Sequence, residues 1–190
     1  ILPSIVLAAE TDELGINAGL QDRVIQAWEG CVYMDFEKAH IDQHGYGRYE
    51  ALDPKLLPRL YIAYKTDLGK VSGTVLNTIR ARYNEGDQEV IRTLEEIASL
   101  AEKGREAIRN KDHDQINTLI NQNFDLRAKI MQINDSNLEL VNTARSCGAS
   151  AKFTGSGGSV IGMYRDDETL KKLVVAMKSI NARVIKPYVF

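Results

Sequence analysis

The sequence predicts an α+β fold in which helices pack on a mostly antiparallel sheet. Three observations predict it. From Leu60 onward the apolar pattern runs strand, helices, strand, glycine turn, strand, helix, strand, which is a ferredoxin-like order. Two short apolar runs flank Gly155-Ser156-Gly157-Gly158, as the arms of a hairpin flank its turn. The closing run Arg183-Val184-Ile185-Lys186-Pro187-Tyr188-Val189 carries a proline, which suits an edge strand.

Taken in order, residues 1–9 read as a strand, because an apolar, β-branched run opens the chain. Gly15-Ile16-Asn17-Ala18-Gly19 is a loop, and a helix starts near Leu20. There Leu20, Val24, Ala27 and Trp28 share one face, opposite Asp22, Gln26 and Glu29, and Gly30 ends the helix. Residues 31–36 alternate as a strand, and a turn-rich stretch follows through Gly45-Tyr46-Gly47. Residues 52–58, with two prolines, connect layers, and 60–64 form the next strand. Helical spacing marks 70–84, 87–109 and 113–133, with Val90, Leu94, Ile97 and Ala101 as one stripe. A further helix over 136–147 stops at Gly148, a C-terminal cap. Asp166 and Asp167 open the last helix, where they complement its positive end, and Leu170, Leu173, Val174 and Met177 form its stripe.

With 190 residues the chain can bury a real core in one or two domains. A formal net charge of −2 without blocks of like charge excludes a basic footprint for nucleic acid. Its two cysteines, Cys31 and Cys147, are far apart, so neither a disulfide framework nor a structural zinc site is expected, and a reducing, cytoplasmic setting fits. No apolar run approaches the roughly 20 residues of a membrane span. The chain opens without Met and without a basic leader region, so it is expected to be the later part of a longer polypeptide.

Two stretches could carry chemistry. The glycine turn is no Walker loop, since no Lys-Ser or Lys-Thr follows and a strand comes next. It also fails the dinucleotide fingerprint, whose third glycine would fall at Val160. A hairpin loop explains it, but so does a bare backbone surface that an anion can approach. The second stretch is Gly15-Ile16-Asn17-Ala18-Gly19-Leu20-Gln21-Asp22-Arg23. Asp22, in a first helical turn, either offsets the helix dipole or orients a substrate hydroxyl.

Other candidates are less specific. His40 and His44 are four apart but lack the Glu of a zinc helix, and they are expected in a solvent loop. Asn121, Asn123, Asp125 and Arg127 make a polar stripe that is either solvated or, at Asn123 and Arg127 beside Ile120 and Ile130, lines a cleft. Ser72, near Lys65 and Lys70, is a possible anion contact.

Together, GLQDR, a strand ending in YMDF, and GASAKFTGSGGSVIG far downstream resemble the GHMP small-molecule kinases, nearest the glucuronokinase-like sugar 1-kinases. The family's third motif, Lys-Leu-Thr-Gly-Ala-Gly-Gly-Gly, stands here as Lys152-Phe153-Thr154-Gly155-Ser156-Gly157-Gly158-Ser159. Its Gly-x-x-Gly-x-x-Asp-Gln-like helix start matches at Asp22, with Arg23 replacing the usual Gln.

The resemblance implies ATP-dependent phosphorylation of a monosaccharide at its anomeric hydroxyl, with glucuronate the preferred substrate. It implies Asp22 as the catalytic group and Gly155, Ser156, Gly157 and Gly158 as the contact with the nucleotide phosphate loop. Gly19, Gln21, Arg23, Ser72 and Arg127 are expected to bind the substrate. Lys152 either touches phosphate or supports the hairpin. Residues 1–58 would end the N-terminal domain, and 59–190 would form the C-terminal GHMP-kinase domain. The family's Pro-x-x-x-Gly-Leu-x-Ser-Ser-Ala loop and its magnesium-binding Ser and Glu are absent from these residues. Hence ATP and Mg2+ are expected to need the N-terminal half as partner, no metal ligand is expected in this chain, and the chain alone is expected to be inactive. Two alternatives stand beside this reading: a catalytically silent sugar-sensing or scaffold module, and a purely structural α+β domain.

Overall fold

The structure, a computed structural model, describes residues 2–15, 18–65, 74–155 and 157–189, the side chains of 74–77 excepted. Contacts divide the chain into two compact units, Ile1–Leu56 with Val189–Phe190, and Leu57–Tyr188.

The first unit departs most from expectation. Its opening is helical, not a strand: α1 spans Leu2–Ala8 and runs into a π-helical turn, Ala9–Glu13. An unbroken apolar run has no period to separate a strand from a helix. Pro3 points to the helix, because a first turn needs no N–H from it. Helix α2, Leu20–Trp28, buries Val24 completely, whereas Trp28 of the expected apolar face is 46% exposed. Glu29 and Gly30 at its end both take positive φ.

Strand β1, Cys31–Asp35, pairs antiparallel with β2, Arg48–Leu52, a strand not foreseen between the expected turn and connection. Between them the expected turn is a short helix, α3, Lys38–His44, stopped by Gly45 at φ 76°. The ribbon is tied by its register: Asp35 faces Arg48, which donates to it at 2.8 Å and to Glu37 at 2.9 Å. Tyr49 holds the ribbon's face, meeting Trp28 and Phe36 edge-on at 6.0 and 6.1 Å. Gly47 is required there, since a Cβ would lie 2.5 Å from the Asp35 carbonyl. A 3-10 turn, Pro54–Leu56, closes the unit.

The second unit follows the expected order. Strand β3 is Leu60–Lys65, and helices α4 (Thr74–Asn84), α5 (Gln88–Arg109), α6 (His113–Ile130) and α7 (Asp135–Ser146) come next. Strands β4 (Lys152–Phe153) and β5 (Ser159–Met163), helix α8 (Asp167–Ser179) and strand β6 (Ala182–Ile185) complete it. The sheet order β4-β5-β3-β6, antiparallel throughout, is the ferredoxin-like arrangement, with β6 on an edge.

Four helices start on a side chain that accepts orphan backbone N–H groups: Asp87, Asp112, Asn134 and Asp166 cap α5, α6, α7 and α8. Such caps stabilise each helix by about 1 kcal/mol. Gly148, at φ 84°, follows the end of α7 as expected. The main core joins Tyr61 of β3, Phe124 of α6, Leu140 and Val141 of α7, Val160 of β5, and Leu173 and Met177 of α8. In α8 the expected stripe is trimmed, with Val174 44% exposed.

Two glycines of the second unit differ sharply in what a methyl group would meet. At Gly162 in β5 a Cβ would overlap the Ser150 backbone carbonyl, whereas at Gly104 in α5 it would meet nothing. Gly162→Ala is therefore expected to prevent folding or cost several kcal/mol, while Gly104→Ala stabilises by up to about 1 kcal/mol. Urea unfolding of the two variants measures both.

Candidate functional site

The glycine turn joins β4 to β5 and is held at both shoulders. The Thr154 amide donates to the Ser159 carbonyl at 3.2 Å, and the two side-chain hydroxyls are bonded to each other. Gly155, Gly157 and Gly158 take φ of 65°, 123° and 80°, a run that side chains resist. Ser156 lies outside the described residues.

The tip is docked on α7. Asn137, only 4% exposed, accepts from the Gly158 amide at 2.9 Å through Oδ1, and its backbone N–H donates to Asn134 Oδ1 at 2.8 Å. A Cβ on Gly157 would stand 2.6 Å from Asn137 Nδ2. Glycine is needed at 157 for close approach as well as for φ. The amides of Gly155 and Gly157 take no partner among the described residues.

The polar stripe of α6 faces this hairpin. Arg127 Nη2 donates to the Gly155 carbonyl at 2.9 Å, and its guanidinium lies 5.8 Å from the Phe153 ring centre. Asn121 Oδ1 accepts from the Ala151 amide at 3.1 Å. Asp125 takes Arg145 at 2.7 Å, and Arg145 lies 5.0 Å from the Phe124 ring, which meets Phe153 edge-on at 5.2 Å. The stripe is therefore a docking face, and Asn123 Oδ1 on it is buried without a partner among the described residues. Lys152 Nζ reaches the Phe153 carbonyl at 3.5 Å. Burial lowers the pKa of Arg127, and burial followed by the Arg127 charge lowers that of Lys152.

In the first unit, Gly19 is the extended N-cap of α2, and Gln21 and Asp22 occupy its first turn. The Asp22 side chain is 74% exposed and 3.3 Å from Arg23 Nη1. Arg23 also pairs closely with Glu10 and donates to the Gly19 carbonyl at 3.4 Å. Arg23 is thus a brace for the start of α2, tying it to the preceding turn. Ser72 lies outside the described residues.

His40 and His44 are not in a loop. They stack on α3 with ring centres 4.3 Å apart. Among the described residues no group of three or more His, Cys, Asp and Glu side chains could hold a metal ion. A concavity of about 460 Å3 in the first unit, lined by Trp28, His40, Tyr46 and Arg48 among others, was not foreseen. Nor was Asn137, whose only trace in the sequence is its place three residues after a helix cap.

Residues 105–182 match the family model described as GHMP kinases C terminal. Over these residues the chain is similar to a GHMP kinase C-terminal domain. The chain is 46% identical over 164 residues to Glucuronokinase 1 of Arabidopsis thaliana, covering 85% of this chain and 45% of that protein. It is 47% identical over 165 residues to Probable glucuronokinase 2 of the same plant, covering 85% and 44%. The chain thus spans less than half the length of these relatives. In fold it resembles the crystal structure of Lactococcus lactis galactokinase complexed with galactose, at a TM-score of 0.72 and 15% identity, over 96% of this chain and 57% of that one. The GHMP glycine motif is therefore the tip of the β4–β5 hairpin, seated on α7 and reached by α6.

Two outcomes are expected. Asn137→Ala leaves the Gly158 amide without its acceptor and costs about 1–3 kcal/mol in urea unfolding. The second concerns Lys152, whose folded pKa lies below its ordinary value of about 10.4. Between the two values the unfolded chain holds a proton that the folded chain has released, so stability rises with pH across that alkaline window. Lys152→Met removes this contribution, which urea titrations stepped in pH detect as a flatter slope.

Proposed function

We propose that this chain is the C-terminal portion of a sugar 1-kinase that phosphorylates a monosaccharide at its anomeric hydroxyl, with glucuronate the preferred substrate. The observation that carries the reading is the 46% identity to Glucuronokinase 1 across most of this chain. The hairpin geometry supports it, because the motif glycines leave unbonded backbone beside two cations.

Bound ATP supplies the phosphoryl group. Such transfers depend mainly on positioning and charge neutralisation. Asp22, exposed at the start of α2, orients the acceptor hydroxyl or takes its proton. Gly19, Gln21 and Arg23 shape that helix start for the sugar, with Arg23 acting by bracing it. The bare tip at Gly155, Gly157 and Gly158, with Ser156, forms one wall against the phosphates, and Arg127 faces it. Ser72 is a further substrate contact on this reading.

The magnesium ligands and the nucleotide phosphate loop are assigned to the N-terminal half of the enzyme, which is the partner this chain requires. Residues 1–58 then complete that half's domain, and 59–190 form the C-terminal one. Two free cysteines support a cytoplasmic location, and no helix among the described residues is long and apolar enough to cross a membrane.

The test is kinetic, on the chain joined to its N-terminal half. Asp22→Asn should lower kcat with glucuronate by about a hundredfold or more while the fold, followed by circular dichroism, is unchanged. Unchanged turnover removes the catalytic role of Asp22, and absence of ADP release by the unsubstituted protein with any sugar favours the silent sugar-sensing module.

A further inference from the structure

Most half-buried cations of this protein have an acid beside them. Lys65 pairs with Glu139, Arg82 with Asp87 and Glu89, Arg145 with Asp125, and Arg23 with Glu10. Arg127 and Lys152 break this pattern. Among the described residues neither has a carboxylate partner, although both side chains are half-buried. Both lie along one short piece of chain: Lys152 Nζ is at the Phe153 carbonyl and Arg127 Nη2 at the Gly155 carbonyl, two residues further on.

One carbonyl satisfies one of the five guanidinium donors, and a 3.5 Å contact scarcely uses the ammonium. Two like charges that feel one another while partly shielded from water, without a counter-charge, destabilise each other. The lowered pKa of each group reports the same desolvation. The fold retains a cationic pair that it does not neutralise itself, next to unbonded amides of the hairpin tip.

We propose that Arg127 and Lys152 form a paired-cation subsite that binds an oxyanion at the β4 side of the glycine hairpin. The anion is either a phosphate group or the carboxylate of a uronic acid, both planar or tetrahedral acceptors that a guanidinium and an ammonium can bracket. The choice between them rests on the kinase reading above, but the existence of the subsite does not. In this role Lys152 is a ligand-binding residue and not only a support for the hairpin.

The experiment uses the whole 190-residue chain. Sodium phosphate, sodium glucuronate and, as controls, glucose and sodium chloride at matched ionic strength are titrated while the amide resonances of Gly155 and Gly157 are followed by NMR. Saturable shifts are expected with phosphate or glucuronate and not with glucose or chloride. Lys152→Met and Arg127→Met should each weaken that binding about tenfold or more, Arg127→Lys should restore part of it, and the exposed-site control Lys103→Met should leave it unchanged. Preference for phosphate assigns the subsite to the transferred group, and preference for glucuronate assigns it to the sugar. Absence of saturable shifts, or equal affinity in Lys152→Met, overturns the proposal. Should Arg127→Met fail to fold, Lys152→Met decides alone, since it removes charge without touching the Gly155 bond. Normal anion binding with no turnover in the joined enzyme would sink the kinase reading and leave the subsite standing.

Discussion

The second unit turns on one buried amide. Asn137 sits in the first turn of α7, sealed from solvent, and holds the hairpin tip through the Gly158 amide. That bond fixes how near the tip lies to the helix, and the nearness forbids a side chain at Gly157. The positive φ values at 155, 157 and 158 are then affordable only to glycine. A buried side-chain carbonyl that accepts a directed hydrogen bond gives a unique seat, whereas an apolar contact would tolerate sliding. The bare backbone of the motif follows from this seat. It is an outcome of packing as well as of any demand from a ligand.

The α6 helix builds the surroundings in the same manner. Phe124 on its core side meets Phe153 edge-on, which locks β4 against the helix. Its polar side then lands beside the strand backbone, so Asn121 finds the Ala151 amide and Arg127 the Gly155 carbonyl. Charge is handled unequally across this surface. Arg145 is neutralised by Asp125 and rests on the Phe124 ring, while Arg127, which also nears a ring, and Lys152 have no carboxylate partner among the described residues. Electrostatically the hairpin is a positive spot on a chain of slightly negative net charge.

Much of the second unit was legible because local and tertiary signals agree there. Helices α5 to α8 each begin at an Asp or Asn that does cap them, and each carries an apolar stripe long enough to show its period. The first unit lacks that agreement. The run 2–8 is apolar at nearly every position, so only Pro3 hinted at a helix. Helix α3 has seven residues, too few to display periodicity, and β2 becomes a strand through its register with β1, Asp35 against Arg48, more than through its own composition. At the hairpin, the glycines and the motif that carries the GHMP likeness were visible in the residues. Asn137 was not, because what it does depends on a helix and a turn that meet only in the folded chain. Arg127 stood out from its stripe, yet its contact with Gly155 spans 28 positions and no spacing rule reaches that far.

The four-stranded sheet has two unpaired sides, and both are poor templates for another strand. On one, β4 is two residues long and flows at once into the glycine tip. On the other, β6 ends before Pro187, with Arg183 and Lys186 exposed along it. A short flank, a proline and lysine or arginine side chains are the features that keep sheets from adding to one another. The hairpin that carries the glycine tip thus also guards the sheet against self-association, because the strand leading into the turn is too brief to be copied.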